Sequence, residues 1–507
     1  MSHPSTHTKY SEYFNTSNLK ADLKERSIRS GAVTITSQWF QFVLRMGSTV
    51  FLARLLSPED YGLIGMVAIL TGFVQLFKDL GLSAATVQKK EVDHQQVSTL
   101  FWINLGVSCL VAFVVAALAP ILALFYQEPR LLWVTLALST NFIFGGLTVQ
   151  HQALMRRQMQ FTNLARIGIC SVAVGLIVSI TMAWLGAGYW ALVGMQSASS
   201  MTTAVFTWIE CKWRPERPTR RSDIRDMLAF GGNLTGFRTL NYFSRNLDNL
   251  LIGRFWGATE LGLYAKAYQL VLLPIQQINS PVNNVAMPTL SSLQDDPERY
   301  SRYYYKAILL ITSLGMPIVA FMFASSDKLI LLLLGERWID AVPIFRLLIP
   351  AAYIATFNVA TGWVYQSLGR TDRQLRWGVI GSILNALVFM AGVRWGAIGV
   401  AAVFGMTRPL FFFPAHIYCF QGTPIKFKSF LSVLARPTIA SIGAAGLLMV
   451  FHKVGITQHS SIGVLLLDIA SYIVLYPLLW IGLPNGRRRF MEILGIFSSL
   501  RKKRKKI

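Results

Sequence analysis

Across 507 residues, 53% are hydrophobic and only 14% are charged, yet the net charge is +24 and the mean hydropathy +0.45. Soluble proteins carry charge on about a quarter of their residues, so a chain this apolar and this basic reads as a membrane protein with basic loops. No polar segment is long enough to form the solvated basic domain that nucleic-acid binding needs.

Residues 1–30 are polar and mixed in charge. The first apolar stretch, from Gly31, is too long for the core of a secretory signal and has no small-residue cleavage site behind it. A spanning helix needs about 20 mostly apolar residues. Such stretches lie near 31–53, 62–87, 97–119, 131–150, 164–185, 188–208, 228–253, 262–288, 306–324, 342–366, 374–392, 396–418, 430–451 and 463–482. The expected fold is therefore an all-α membrane protein of about fourteen transmembrane helices.

The loops test this topology. With a cytoplasmic N-terminus, about 34 of the 48 Lys and Arg fall on the inner side and about seven on the outer side, as the positive-inside rule requires. Six basic residues between Lys212 and Arg225 make 211–227 a basic inner linker, and the tail 483–507 ends in Arg501 to Lys506. After a last span, such a tail reads as an anchor to anionic lipid.

Shifting the chain by 200 residues aligns the first span with the seventh. Gly31 meets Gly231, Arg45 meets Arg245, Arg54 meets Arg254, Asp60 meets Glu260 and Gly62 meets Gly262. Gln152, Leu154 and Arg156 recur as Gln366, Leu368 and Arg370. Two six-helix bundles are expected, at 31–210 and 228–418, with two further helices over 430–482. Six is even, so both halves enter the membrane from one side. They are then parallel repeats about an axis along the membrane normal, an arrangement suited to rocking about a central cavity.

Polar residues inside these spans carry the chemistry. Gln38, Gln41, Arg45 and Ser48 share an arc of roughly 80° on the first span. On the seventh, Arg238, Asn241, Arg245 and Asp248 occupy the same face 200 residues later. The eighth span adds Lys266, Gln269, Gln276, Ser280 and Asn283, bent at Pro274, Pro281 and Pro288, and the second adds Gln75, Lys78 and Asp79. An arginine at mid-membrane costs at least about 2.5–3.5 kcal/mol, so it needs a cavity or a partner.

Structural readings stand beside these. Asp248 is placed to pair with Arg245 within one helix, and Lys78 to pair with Asp79 or to snorkel. Arg346 lies near a helix end, and Arg54 and Arg254 sit at the outer rim, where capping or head-group contact suffices. The span-embedded cations, about seven, outnumber three clear acids, Asp79, Asp248 and Asp468, so the surplus predicts an anionic ligand. The seven histidines do not cluster, the four cysteines have no metal or redox spacing, and no catalytic constellation emerges. No cofactor or metal is expected, and the chain does not read as an enzyme.

Ala53 to Met66 (ARLLSPEDYGLIGM), Asp79 to Leu82, Gln88 to Glu91, Gln152 to Arg157, Pro288 to Asp296 and Gly335 to Trp338 carry a further signal. These segments resemble the polysaccharide-transporter branch of the multidrug/oligosaccharidyl-lipid/polysaccharide superfamily, and within it the colanic-acid-exporter type of Wzx flippase. The resemblance spans about residues 25–480. It implies two bundles around a cationic cavity lined by the first, second, seventh and eighth helices. It also implies transport of an undecaprenyl-pyrophosphate-linked oligosaccharide across the bacterial inner membrane, for exopolysaccharide or lipopolysaccharide synthesis.

On this reading Arg45, Arg238, Arg245 and Lys266 neutralise the pyrophosphate, while Gln38, Gln41, Asn241 and Gln269 bond sugar hydroxyls. Asp248 and Lys78 are candidates for coupling. Membrane lipids and the pathway's polymerase and assembly proteins are the expected partners. One rival is a drug/cation antiporter of the same superfamily, which would place acids in the cavity. The other is a membrane enzyme of the pathway, which would want catalytic acids or a large outer loop.

Overall fold

The computed structural model describes residues 14, 23–75, 83, 86, 87, 92–218, 225–454, 462–488, 490, 491 and 495. Within them the regular elements are helices, arranged in two compact units that divide between Gly262 and Leu263. Eight ranges are long and apolar enough to cross a membrane, and they contain nine of the fourteen expected spans. The chain is a multi-pass membrane protein.

The first unit opens with α1 (Leu23–Leu55) and α2 (Pro58–Gln75), followed by α3 (His94–Tyr126), α4 (Arg130–Gly146) and the short α5 (Val149–Arg157). It continues through α6 (Phe161–Trp184) and α7 (Trp190–Glu210) to α8 (Arg225–Ser292), which enters the second unit. That unit holds α9 (Pro297–Ala324), α10 (Ser326–Leu333), α11 (Ala341–Ser367), α12 (Thr371–Gly392), α13 (Gly396–Phe420), α14 (Phe427–Lys453) and α15 (Ile462–Gly482). In the first unit α3 packs on α4, α4 on α7 and α6 on α7. The second repeats the order with α9 on α11, α11 on α13 and α12 on α13, and adds α14 against α9 and α15.

Local sequence explains the boundaries. The Ser57 hydroxyl caps the Asp60 N–H at 3.2 Å and the Asp60 carboxylate returns to the Ser57 N–H at 2.8 Å, with Pro58 in the first helical position. Asp93 and Asp296 cap α3 and α9 by accepting from the Gln96 and Arg299 N–H groups. Gly257, at φ 81°, breaks α8 in two, because a left-handed residue cannot continue a right-handed helix. Its halves are the seventh and eighth expected spans.

The helices that fall short of full membrane apolarity are α1, α2, α7 and α8. Three of these four carry the polar stripes, and α7 is diluted by serines and threonines. The segment 325–341, between two expected spans, folds as α10 and a 3-10 turn at Glu336–Trp338, with Trp338 fully buried. Eight residues are too few to register in a window set for a spanning helix.

Candidate functional site

Burial divides each stripe lengthwise. On α1, Gln38 and Arg45 are exposed, whereas Gln41 is half-buried and Ser48 buried. The Gln41 amide lies against α6, where a Cβ on Gly168 would come within 2.8 Å of its Nε2. Ser48 donates its hydroxyl to the Arg45 carbonyl at 2.7 Å. One edge of the stripe therefore seats the helix in the bundle, and the other presents Gln38 and Arg45.

The first half of α8 repeats this division. Arg245 is exposed and Asp248 buried, so positions 200 residues apart share the same environment. Asp248 accepts from the Asn249 N–H at 2.8 Å. Arg45 and Arg245 form no ion pair among the described residues, and so the pairing of Arg245 with Asp248 does not occur in this state. Arg238 and Asn241 lie on the same helix, with side chains outside the described ones, and Lys78 and Asp79 lie outside the described residues altogether.

Tyr242, which the polar pattern did not single out, fixes this part of α8. Its hydroxyl donates toward the carbonyls of Ile69 at 2.9 Å and Ala68 at 3.3 Å on α2. Gly72 makes room, since a Cβ there would meet the tyrosine oxygen within 2.3 Å. A single tyrosine between polar residues reads from sequence as an interfacial aromatic, and only the α2 carbonyls it meets reveal the anchoring role.

Where α2 begins, the packing is tighter still. A Cβ on Gly62 would lie 1.7 Å from the Ala258 carbonyl oxygen, and one on Gly262 would lie 1.8 Å from that of Pro58. Gly253 meets the Tyr126 ring in the same way, at 2.8 Å. An ion-pair cluster closes the neighbouring loop: Arg130 bonds Glu59 at 2.5 Å and Glu128 at 2.7 Å. The Arg130 guanidinium holds the Glu128 carboxyl below the usual carboxylate range. Arg254 stacks over the Phe125 and Phe255 rings.

In the second unit, Lys266 is buried and donates to the exposed Gln269 at 3.2 Å. Gln276, Ser280 and Asn283 are exposed on the same helix, and Asn283 accepts from the Trp363 indole at 2.6 Å. Arg346 is held by Ser326 and Asp327, the structural role its helix-end position suggested. Among the described residues no cluster of His, Cys, Asp and Glu is placed to hold a metal ion.

The stripes on α1 and on the first half of α8 each present one exposed arginine, and close glycine crossings lie nearby. The family described as "Polysaccharide biosynthesis protein" matches residues 51–343, more than half of the chain. The chain belongs to this family.

Its relatives within the family's range include the lipopolysaccharide biosynthesis protein WzxC of Escherichia coli, 24% identical over 389 residues, which are 75% of this chain and 78% of that one. The teichuronic acid biosynthesis protein TuaB of Bacillus subtilis is 26% identical over 385 residues, covering 76% and 78%. The succinoglycan biosynthesis transport protein ExoT of Rhizobium meliloti is 24% identical over 416 residues, covering 81% and 83%. Among solved structures, the lipid II flippase MurJ in its inward closed conformation superposes with a TM-score of 0.69 at 14% identity, covering 88% of this chain and 98% of that one. An inward-facing multidrug transporter of the MATE family gives 0.58 at 13% identity, covering 75% and 94%. At such identities these structures establish the fold alone.

Proposed function

We propose that this polysaccharide biosynthesis protein is a flippase. It moves an undecaprenyl-pyrophosphate-linked oligosaccharide repeat unit across the bacterial inner membrane by alternating access, for exopolysaccharide or lipopolysaccharide synthesis. The observation that carries the reading is the matched pair Arg45 and Arg245. Each is exposed on a membrane helix, at equivalent positions of two halves, with no carboxylate partner among the described residues. An unneutralised guanidinium there calls for an anionic ligand, and guanidinium suits phosphate oxygens in a bidentate fork.

The names of WzxC, TuaB and ExoT supply the pathway, and the flippase of the MurJ structure supplies a precedent for a lipid-linked cargo on this fold. The proposed cavity joins Arg45, Arg238, Arg245 and Lys266 on the pyrophosphate with Gln38, Gln41, Asn241 and Gln269 on the sugars. Gln41, leaning on α6, reaches it only by changing rotamer. The two repeats, 31–210 and 228–418, rock about this cavity, with both termini cytoplasmic and helices 430–482 at the side. The close glycine crossings where α2 begins are suited to the sealed outer end of an inward-open state. Asp248 and Lys78 are the coupling candidates, and the polymerase and other assembly proteins the candidate partners. No covalent step is needed.

The test is polymer export in a deletion strain. Loss of the gene should leave lipid-linked repeat units in the inner leaflet, and wild-type protein should clear them. Arg45→Ala and Arg245→Ala should each fail to clear them, while Gly47→Ala, at an open position, should succeed. Full clearance by both arginine variants would overturn the cavity assignment, and unchanged lipid-linked units on deletion would overturn the flippase itself.

A further inference from the structure

The second unit contains a cationic cleft that the transport reading does not use. A cavity of about 530 Å³ lies between α9 and α14, and four cations line it: Arg302 and Lys306 from one helix, Lys428 and Arg436 from the other. Among the described residues no carboxylate lines it. Glu298, one turn before Arg302, forms no ion pair among the described residues, and Asp296 is already engaged with Arg299 at 3.3 Å.

Such an arrangement opposes folding unless something balances it. Arg302 and Lys306 stand four residues apart on one helix face, where like charges repel, and Lys428 and Arg436 bring two more positive charges to the same space. The cleft is nonetheless built and held. The Tyr305 hydroxyl accepts from the Lys426 N–H at 2.8 Å, tying α9 to the start of α14, and Arg436 donates its Nε to the Pro484 carbonyl at 3.1 Å. The last bond orients the guanidinium and leaves its terminal nitrogens available. Ser429 and Ser432 add hydroxyl donors, and Lys428 and Ser429 stand in the first turn of α14, whose unbonded N–H groups favour an anion.

The wall is mixed in character. The cations fall within the opening turns of both helices, and Leu309 and Val433 add apolar surface beside them. A soluble anion would gain nothing from that surface, whereas a lipid would place its head group among the cations and its chains along the helices. Both helices begin on the side that the loop charges assign to the cytoplasm, the orientation on which this placement rests.

We propose that the α9–α14 cleft is a binding site for the phosphate head group of a polyanionic lipid of the inner leaflet. Four cations around one cavity match a head group with two phosphates better than one with a single charge. A bulk diphosphate phospholipid and the lipid-linked pyrophosphate share that chemistry. None of the described side chains assigned to the central cavity lines the cleft, and we treat it as a separate site.

The experiment uses the full chain, purified and delipidated in neutral detergent. Binding of cardiolipin, undecaprenyl pyrophosphate, phosphatidylcholine and inorganic pyrophosphate is measured by native mass spectrometry and by thermal shift. Wild-type protein should bind at least one diphosphate lipid at least tenfold more tightly than phosphatidylcholine or free pyrophosphate. Removing two exposed cations, as in K306Q/K428Q, should weaken that binding about thirtyfold. The single variants K306Q and K428Q, expected to lose about fivefold each, keep the test open if the double variant folds poorly.

Preference for cardiolipin identifies a bulk lipid and preference for undecaprenyl pyrophosphate identifies the transported one, and either outcome supports the site. Equal affinity of wild type and folded variants, or free pyrophosphate binding as tightly as the lipids, would overturn it. R45A and R245A should bind the cardiolipin probe as wild type does, so failure of the central cavity and failure of this cleft give different patterns.

Discussion

Gly62 and Gly262 stand 200 residues apart, and each packs against the residue one turn before the other. Gly62 lies against Ala258 and Gly262 against Pro58, both at backbone carbonyls. The contact is reciprocal. Backbone cannot move aside as a flexible side chain can. A methyl group at either position must push the start of α2 and the second half of α8 apart, costing about 1–3 kcal/mol. We expect G62A and G262A each to lower the unfolding temperature in detergent, and the double variant to fall short of their sum, because both relieve the same crossing. Gly47, with nothing within 4 Å of a Cβ, is the control, and G47A should leave the temperature unchanged or raise it slightly. Strict additivity of the two costs would show that the crossing is not shared.

Tyr242 offers a second, smaller perturbation of the same unit. Removing its hydroxyl in Y242F leaves the ring in place and deletes the bonds to the Ile69 and Ala68 carbonyls. Those carbonyls keep their helical partners, so the loss should be modest, about 0.5–1.5 kcal/mol. Because Arg245 follows within one turn, export should fall with Y242F even where the amount of folded protein in the membrane does not. Full export would show that docking of α8 on α2 does not position the arginine.

In the second unit, Lys328 binds Asp468 at 2.7 Å, and His452 reaches the same carboxylate oxygen at 3.1 Å. Asp468 is fully buried and Lys328 nearly so. The three residues join α10 to α14 and α15, which lie 124 and 140 residues further along the chain at His452 and Asp468. Removing one charge leaves the other buried and uncompensated, at about 3–5 kcal/mol, whereas replacing both with apolar residues of similar size avoids that cost. D468N or K328M alone should therefore destabilise strongly, and K328M/D468L should be distinctly more stable than either single variant by thermal unfolding. If the double variant is the least stable, the pair contributes net attraction beyond mutual neutralisation.

How far these features were legible varies with their range. The stripes at Gln38 to Ser48 and Arg238 to Asp248 follow from helical spacing, which fixes the angle of a side chain but not its neighbours. Thus the sharing of Arg45 and Arg245 out toward open space, with Ser48 and Asp248 turned inward, needed coordinates. Lys328 looked like a loop cation because α10 is too short to show in hydropathy, and its partners arrive from 124 and 140 residues away. The offset of 200 was readable as matched letters, yet its physical content, two glycines giving way to each other's backbone, was not. The cleft at Lys306 and Lys428 escaped because each lysine alone satisfies the positive-inside pattern, and only the packing of α9 on α14 gathers them.

The loop cluster of Glu59, Arg130 and Glu128 sets a pH dependence. Glu128 has its carboxyl lowered chiefly by the hydrogen bond from Arg130. A carboxylate more acidic in the folded chain than in the unfolded one adds stability above its unfolded pKa, and loses it as pH falls through the lower, folded value. The stability difference between wild type and E128Q should accordingly be constant near neutral pH and shrink as the medium is acidified below the ordinary carboxylate range. Thermal melts of both proteins across that range measure it. A difference that grows on acidification would reverse the assignment.

The segment after α7, expected as a basic inner linker, begins as a strap docked on the first unit. Trp213 is fully buried, and its indole donates to His94 Nδ1 at 2.9 Å. Nearby, Trp102 donates to the Glu216 carbonyl at 2.7 Å, and the Glu216 N–H reaches the Ser98 hydroxyl at 3.1 Å. Cys211 is buried under the same strap, and burial pushes its thiol up to about 11. Burial thus disfavours the thiolate, in addition to making the sulfur inaccessible. In a variant whose other three cysteines are serine, maleimide should label Cys211 very slowly. Trp213→Ala removes the largest side chain of the strap and its bond to His94, a change that costs about 3–5 kcal/mol in a packed core. That exceeds what the remaining strap bonds contribute at about 1 kcal/mol each, so the segment should release and labelling should rise at least tenfold. Trp213→Phe keeps much of the apolar contact and loses the hydrogen bond, and its rate should fall between the two. Unchanged labelling in Trp213→Ala would mean that the serine, tryptophan and arginine contacts of 214–216 hold the strap without the buried indole.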